Sequence, residues 1–369
     1  FQAEDGIRDC LLSRGLGDVY KRQMKTIMKT LLVSIASLSL MLSVNAGELS
    51  VSGTAKATYN MTSGTTADQG LGITNELNFT ASGEMDNGFT WSYSMELDPA
   101  SGGAANNDDT KITLGMGDMG TVKVCVSECG NNKKYAFDAS AYTKMSDTGF
   151  SEGIVYPGDA GAAGTATIQY HTPELPFGTT ASIAYNTQVA GDAASGNATG
   201  QTTNAQNSSE EYSVVTKPVD GLTLSAHYNK VNDHADGVAT EQQLEEGGSY
   251  AAKYAAGNLT VGYGKSFQAP EIGTAVGAGS GVIEYYENTG ISLGYAVNDE
   301  LSVSYTRETS EKNMAHSSTT TYDIEMDSIQ FAYSLGGATL SVARADYENA
   351  NYTQDEDATE TIVAMTFAF

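Results

Sequence analysis

Leu222-Thr223-Leu224-Ser225-Ala226-His227-Tyr228-Asn229 follows Asp220-Gly221 and alternates without a break, with Leu, Leu, Ala and Tyr on one parity and Thr, Ser, His and Asn on the other. A period of two marks an extended strand with one apolar and one polar face, because successive side chains leave opposite sides of the backbone. The pattern repeats along the chain. Leu301, Val303 and Tyr305 alternate with Ser302, Ser304 and Thr306, and Ile329, Phe331, Tyr333 and Leu335 alternate with Gln330, Ala332 and Ser334. Alternation of this kind serves a soluble β-sandwich as well as a barrel whose greasy side touches lipid, so it sets the class as all-β and leaves the apolar solvent open.

Composition agrees with that class. The 369 residues include 40 Gly and 21 Tyr but only 6 Pro, and 17% are charged, which argues against collagen, disorder and a helical membrane bundle. The net charge of −26 opposes a nucleic-acid partner. Three Cys and four His are too few for a Cys-rich zinc module or a disulfide scaffold.

Met24-Lys25-Thr26-Ile27-Met28-Lys29, followed by the apolar run Leu31 to Leu42 and by Val44-Asn45-Ala46, has the form of a signal peptide over 24–46. Small residues precede Gly47 at the first and third places, so cleavage is expected after Ala46. Residues 1–23 share no pattern with the rest of the chain and resemble translated sequencing-adaptor read-through, a non-native leader. Residues 47–369 then hold 41 acids against 13 bases, a net charge of −28, and only two of those bases are Arg.

Loop lengths choose between the solvents. Tight turn sequences recur at Asp86-Asn87-Gly88, Gly117-Asp118-Met119-Gly120, Pro176-Phe177-Gly178, Asp220-Gly221, Gly257-Asn258, Asn298-Asp299 and Gly336-Gly337. Between them lie longer polar stretches at about 61–70, 98–107, 127–164, 188–209, 232–247, 268–280, 309–325 and 347–359. Seven short and eight long connections alternate strictly, which predicts sixteen strands. A sandwich has no reason to sort its connections, whereas an outer-membrane barrel has short periplasmic turns and long extracellular loops.

The chain ends on a strand with Thr361, Val363, Met365, Phe367 and Phe369 on one face. This resembles the terminal strand by which the barrel assembly machinery recognises outer-membrane proteins, with Phe369 as the assembly signal. With the signal peptide, the loop alternation and Glu48-Leu49-Ser50-Val51-Ser52-Gly53 as a first strand, residues 47–369 resemble the Gram-negative general porins of the alphaproteobacterial type. The resemblance implies a sixteen-stranded antiparallel transmembrane β-barrel, a homotrimer, and a water-filled pore narrowed by an inward third loop. It also implies passive passage of small hydrophilic solutes and ions across the outer membrane.

The third loop, 127–164, is the longest here. It carries Glu128, Lys133, Lys134, Asp138, Lys144, Asp147, Glu152 and Asp159, a composition suited to a charged constriction or to a solvated surface loop. Cys125 and Cys129 at its base either close a short disulfide ring, with a local role in loop take-off, or remain two thiols.

Strand parity sorts the remaining charges. Lys56, Glu76, Glu96, Lys111, Lys123, Lys253 and Glu284 fall on polar faces and are pore-wall candidates, able to set a transverse field or simply to solvate a wide lumen. Lys230, Lys265, Arg307 and Arg344 fall on apolar parities towards the outer ends of rising strands. A lipid-facing charge costs about 2–4 kcal/mol at mid-membrane and about 0–1 near the interface. These bases are therefore expected to snorkel to lipopolysaccharide head groups or to counter acidic loops. Arg344 could instead mark a bulge or a subunit contact, and Glu287 leaves the register of the 282–297 strand open.

Acid clusters at Asn107-Asp108-Asp109, Asp233-His234-Ala235-Asp236 and Asp355-Glu356-Asp357 could hold calcium or magnesium through oxygen, although none has a complete calcium-loop spacing and plain solvation explains them as well. No cofactor is expected. An acidic vestibule enriches cations within a Debye length of about 8–10 Å, so cation preference is expected. His171, His227, His234 and His316 are scattered, with no nucleophile elbow and no His-Glu-x-x-His, so an enzyme is not expected; Asp233 with His234 is the only adjacent acid and imidazole. The competing reading is a secreted or surface-anchored all-β adhesin without a pore.

Overall fold

Alternation carried through sixteen segments has one way to satisfy every backbone group without an exposed sheet edge, which is to close on itself. The computed structural model does so: β1 to β16 form one closed antiparallel ring in which each strand pairs with its sequence neighbours and β1 pairs with β16. The structure describes residues 47–64, 68–99, 105–126, 130–148, 150–158, 166–186, 208–232, 242–273, 281–315 and 320–369. Within it, Leu49–Phe369 is one compact unit. The leader and signal expectations for 1–46 lie outside the described residues.

The strands are β1 Glu48–Ser63, β2 Gln69–Glu84, β3 Thr90–Pro99, β4 Ala105–Gly115, β5 Thr121–Val126, β6 Ala166–His171, β7 Thr180–Asn186 and β8 Ser209–Val219. They continue as β9 Leu222–Val231, β10 Glu246–Ala256, β11 Leu259–Ala269, β12 Ile283–Ala296, β13 Leu301–Met314, β14 Ile324–Ser334, β15 Ala338–Glu348 and β16 Ala358–Ala368. All seven short turns fall where the Gly and Asn signals put them. At Asp220-Gly221, Gly221 adopts φ +76°, and a Cβ there would strike the carbonyl of Ala255. Several long loops are shorter than expected because polar sequence continues the ladder. β13 runs to Met314, well past the expected loop start at 309, since Thr309, Ser310 and Glu311 pair with Thr289, Asn288 and Glu287.

Register in β12 is regular from Tyr285 to Ala296, and its one irregularity lies between Ile283 and Tyr285. Glu287 therefore keeps its outward parity, while Glu284 sits inside the irregularity, where alternation stops being a guide. Arg344 lies opposite Ile329 and Thr361 in unbroken ladders, so no bulge occurs there.

Closure is set by the two ends. β1 pairs with β16 from Thr54 opposite Ala368 to Ser63 opposite Thr359, and Gly53 and Phe369 exchange both backbone hydrogen bonds, at 2.8 and 3.0 Å. Ser225, His227 and Asn229 of β9 are buried inside, while Leu224 and Tyr228 are exposed outside; Ile329, Phe331 and Tyr333 of β14 are likewise exposed. This is the inverse of a soluble fold, where aromatic and branched side chains fill the centre.

One part of the interior is dry. Ile324 and Met326 of β14, Ala343, Ala345 and Tyr347 of β15, and Ile362 and Ala364 of β16 pack with Met145 and Ile154 of the third loop. Here the inward parity of β14, β15 and β16 turns apolar, and the loop lies against it.

Candidate functional site: the third loop and the lumen wall

The described part of the loop between β5 and β6, residues 130–148 and 150–158, runs inside the ring and is hydrogen-bonded to the wall at several points. The N–H of Asn131 donates to Glu211 Oε1 at 2.8 Å, and its side-chain amide donates to Gln169 at 3.2 Å. Further on, the N–H groups of Ala139 and Ala141 donate to Ser292 Oγ and Ser304 Oγ at 2.9 and 2.8 Å. Gln330 Oε1 accepts from the N–H groups of Tyr142 and Thr143, each at 3.0 Å, and Gln330 Nε2 donates to the Thr143 carbonyl at 2.6 Å. Ser146 Oγ donates to Glu308, Thr148 Oγ1 donates to Glu360, and Tyr347 OH donates to the Phe150 carbonyl. A loop carries many backbone donors with no partner of their own, and these wall side chains supply acceptors that water would otherwise provide.

Glycine makes room for the approach. A Cβ on Gly264 would lie 2.7 Å from the Phe137 ring, and one on Gly262 or Gly290 would overlap Phe137 outright. The small inward residues of β11 and β12 are thus in part a seat for Phe137, which is 3% exposed.

Four buried carboxylates serve as fasteners. Glu211 and Glu360 are at most 1% exposed, Glu308 is 3% and Glu152 is 8%. Glu211 also lies 3.2 Å from His227 Nε2 in a geometry too poor for a hydrogen bond. Burial first, and Glu356 second, hold the Glu152 carboxyl above the ordinary carboxylate range.

Of the expected constriction residues, Lys144 and Asp147 pair at 2.9 Å with both side chains substantially exposed to the interior space, and the ammonium groups of Lys134 and Lys144 lie 5.2 and 4.5 Å from the Tyr135 ring centre. Desolvation and the nearby Asp147 raise the Tyr135 hydroxyl far above its usual value, keeping it neutral. Asp138 accepts from Ser140 Oγ at 2.7 Å, and its carbonyl accepts from Lys253 Nζ at 3.3 Å, so Lys253 is tied to the loop. Glu128 and Asp159 lie outside the described residues.

On the wall, Lys56, Lys111 and Lys123 have inward parity. Lys111 lies opposite Cys125, which is buried and disulfide-bonded, while Cys129 lies outside the described residues. Lys123 lies opposite Gln169. Glu76 accepts from Thr54 Oγ1 at 3.2 Å, and Glu96 lies opposite Asn78. Glu284 is exposed and gives its carbonyl to Gln243.

The outward bases are paired within the sheet. Lys230 lies 3.6 Å from Glu210, Lys265 lies 2.6 Å from Glu287, Arg307 bridges Glu325 and Asp327, and Arg344 lies 2.6 Å from Asp346. Tyr212 OH donates to Glu210 and Tyr228 OH to Glu246, both at 2.6 Å, and Tyr305 OH donates to Asp327. Sequence reasoning singled out Glu287 but missed Glu210, Glu246, Glu325, Asp327 and Asp346, although their parity was legible.

Asp233, His234, Asp236 and His316 lie outside the described residues, as do the side chains of Asp108 and Asp109. No group of three metal-ligating side chains occurs among the described residues.

Solved structures share this architecture. Salmonella typhi OmpF in complex with daunomycin superposes with a TM-score of 0.63 at 14% identity, over 88% of this chain and 98% of that one. An anion-selective porin from Comamonas acidovorans gives 0.63 at 13%, over 88% and 100%. A porin structure refined at 1.8 Å gives 0.62 at 15%, over 87% and 100%. No curated protein matches the chain by sequence. At such identities these likenesses establish the fold alone, but the Gram-negative porin family model matches residues 31–327, well over half of the chain. With that match over a closed ring of sixteen strands, the chain belongs to the Gram-negative porin family.

Proposed function

We propose that this chain is an outer-membrane general diffusion porin through which small hydrophilic solutes and ions pass passively. The observation that carries the reading is the third loop running inside a polar-lined ring, with the exposed pair Lys144 and Asp147 on the loop and Lys56, Lys111 and Lys123 on the wall. Charges of both signs across a narrow aqueous space orient dipolar solutes and penalise apolar ones. The family and fold point to a channel and not to an enzyme. Purified protein in planar bilayers should give discrete conductance steps; their absence in protein that still shows heat-modifiable gel migration would overturn the reading.

Cation preference is the finer part of the proposal. It rests on the 41 acids and 13 bases of residues 47–369, many of the acids in long loops. The wall lysines oppose it, so the preference is modest, and a zero or anion-selective reversal potential across a salt gradient would remove it. Homotrimeric assembly is supported by family membership. Recognition by the barrel assembly machinery is supported by Phe369, which ends the outward face of β16 and is 68% exposed. Contact of the outward girdle with lipopolysaccharide is supported by its exposed bases, although each already has an acid partner. Calcium or magnesium at the acidic loops rests on Asp355-Glu356-Asp357 and its neighbours in sequence.

A further inference from the structure

β16 closes the ring against β1, and Glu360 stands at the end of that seam next to the eighth loop, opposite Thr62 on one side and Ala345 of β15 on the other. It is 0% exposed, on an inward row whose other members Ala358, Ile362 and Ala364 belong to the dry part of the interior. Among the described residues it has two hydrogen-bond partners and no cationic one. Asn60 Nδ2 donates to Oε1 at 2.9 Å across the seam, and Thr148 Oγ1 of the third loop lies 2.8 Å from Oε2. One carboxyl group thus joins the first strand, the last strand and the loop.

Hydrogens are scarcer than acceptors at this junction. A threonine hydroxyl carries one hydrogen, and Thr148 Oγ1 faces two acceptors, Glu360 Oε2 at 2.8 Å and the Met145 carbonyl at 2.9 Å. The Phe150 N–H reaches the same Oγ1 at 3.4 Å and occupies a lone pair there. Asn60 Oδ1 is buried with no donor at all. An ionised carboxylate accepts on both oxygens and would widen the shortage, and a charge buried without a counter-charge is unfavourable enough that such a group takes up a proton instead. A neutral acid balances the count. Its Oε2–H donates to Thr148 Oγ1, the Thr148 hydrogen goes to Met145, and Oε1 keeps the amide of Asn60.

We infer that Glu360 is a neutral carboxylic acid whose proton ties the third loop to the closure seam, which makes it a positioning residue for that loop. The bond at 2.8 Å then runs from the carboxyl group to the hydroxyl. Ring closure and loop docking share this one group, so each stabilises the other: a docked loop fixes Glu360 for Asn60, and a closed seam fixes it for Thr148. Any effect on the bore rests on the channel reading, whereas the proton and the coupling are read without conduction.

The test uses the purified full chain in detergent at neutral pH. Glu360→Gln keeps the pattern of the neutral acid, a carbonyl oxygen for Asn60 and a donor for Thr148, whereas Glu360→Ala offers neither. The infrared difference spectrum, parent minus Glu360→Gln, should contain the carbonyl band of a neutral carboxylic acid. Tryptic cleavage at Lys144 should be as slow in Glu360→Gln as in the parent and at least about tenfold faster in Glu360→Ala, the loss of a buried hydrogen bond. Coupling is read across the junction: Asn60→Ala, on the seam, should speed cleavage in the loop, and Thr148→Ala, in the loop, should lower the temperature at which heat-modifiable migration is lost. These two variants carry the test where Glu360→Ala fails to fold. Protein that passes these tests yet gives no conductance steps in planar bilayers overturns the channel reading and leaves this inference standing. A carboxylate band in place of the acid band, or cleavage in Glu360→Gln as fast as in Glu360→Ala, overturns the neutral acid. Effects of Asn60→Ala and Thr148→Ala confined to their own sides overturn the coupling.

Discussion

The carbonyl of Glu152 accepts the N–H of Asn351 at 2.7 Å, and the Glu152 side chain accepts from Asn351 Nδ2 at 3.5 Å, so the third loop is latched to the eighth. Both residues pay for the contact in backbone conformation, with φ of +46° and +56°. The Glu152 carboxyl is raised above its ordinary value by burial, with Glu356 adding to the effect. A group raised on folding stabilises the fold fully below its unfolded value, and that contribution is lost as pH rises through the folded value. The latch should therefore loosen between mildly acidic and neutral pH. Hydrogen exchange at the Asn351 amide, corrected for intrinsic rate, should show rising protection as pH falls. Glu152→Gln should flatten the dependence, and an unaltered slope in that variant would assign it to another group.

Gln330 makes three hydrogen bonds to Tyr142 and Thr143 from the middle of β14. Gln330→Ala would leave two loop N–H groups without acceptors, at about 1–3 kcal/mol for each that stays buried. The loop should peel from the wall, with larger and noisier conductance and faster tryptic cleavage at Lys144. Barrel closure depends on other residues, so heat-modifiable migration should persist. Conductance and cleavage equal to the parent would show that the loop is held elsewhere.

Gly264 lets Phe137 lie close against the wall, since a Cβ there would sit 2.7 Å from the ring. Gly264→Val should displace Phe137 and shift the loop inward, reducing conductance while the strand ladder stays intact by circular dichroism. This is the opposite sign from Gln330→Ala, and the pair together tests whether the loop sets the bore.

Arg307 is flanked by Glu325 and Asp327 on the outward face of the barrel. Arg307→Glu would set three carboxylates together where a lone charge near the interface costs roughly 0–1 kcal/mol and one deeper in lipid costs more. A lower temperature for loss of heat-modifiable migration is expected, partly restored by added magnesium. Unchanged lipopolysaccharide association in the variant would remove the head-group role proposed for this girdle.

The turns at Asp220-Gly221 and Gly336-Gly337 and the alternation in β9 and β13 were legible because lipid and water impose a period of two, and turn geometry demands glycine. The strand count followed from the contrast of short and long connections. Less legible was β16, where Ile362 and Ala364 face inward behind Val363 and Met365: a strand apolar on both faces carries no periodic sign of which side meets the loop. The fasteners Glu211, Glu308 and Glu360 escaped notice because a buried carboxylate on a polar parity looks like any lumen acid. Contacts such as Ala139 with Ser292 join residues 153 apart in sequence, and no local pattern encodes a meeting of that separation.

The bond from Thr148 to Glu360 spans 212 residues, and those to Gln330, Ser304 and Ser292 reach strands that a growing chain delivers long after the loop itself. Closure entropy for such distant partners must be met before they reward the fold. During biogenesis the aperture should accordingly be the last thing to acquire its shape. A nascent barrel lacking its final four strands keeps the seats for Phe137 and Ala139 on β11 and β12 but not those for residues 141–148, and would stand as a wide, leaky trough until those strands arrive.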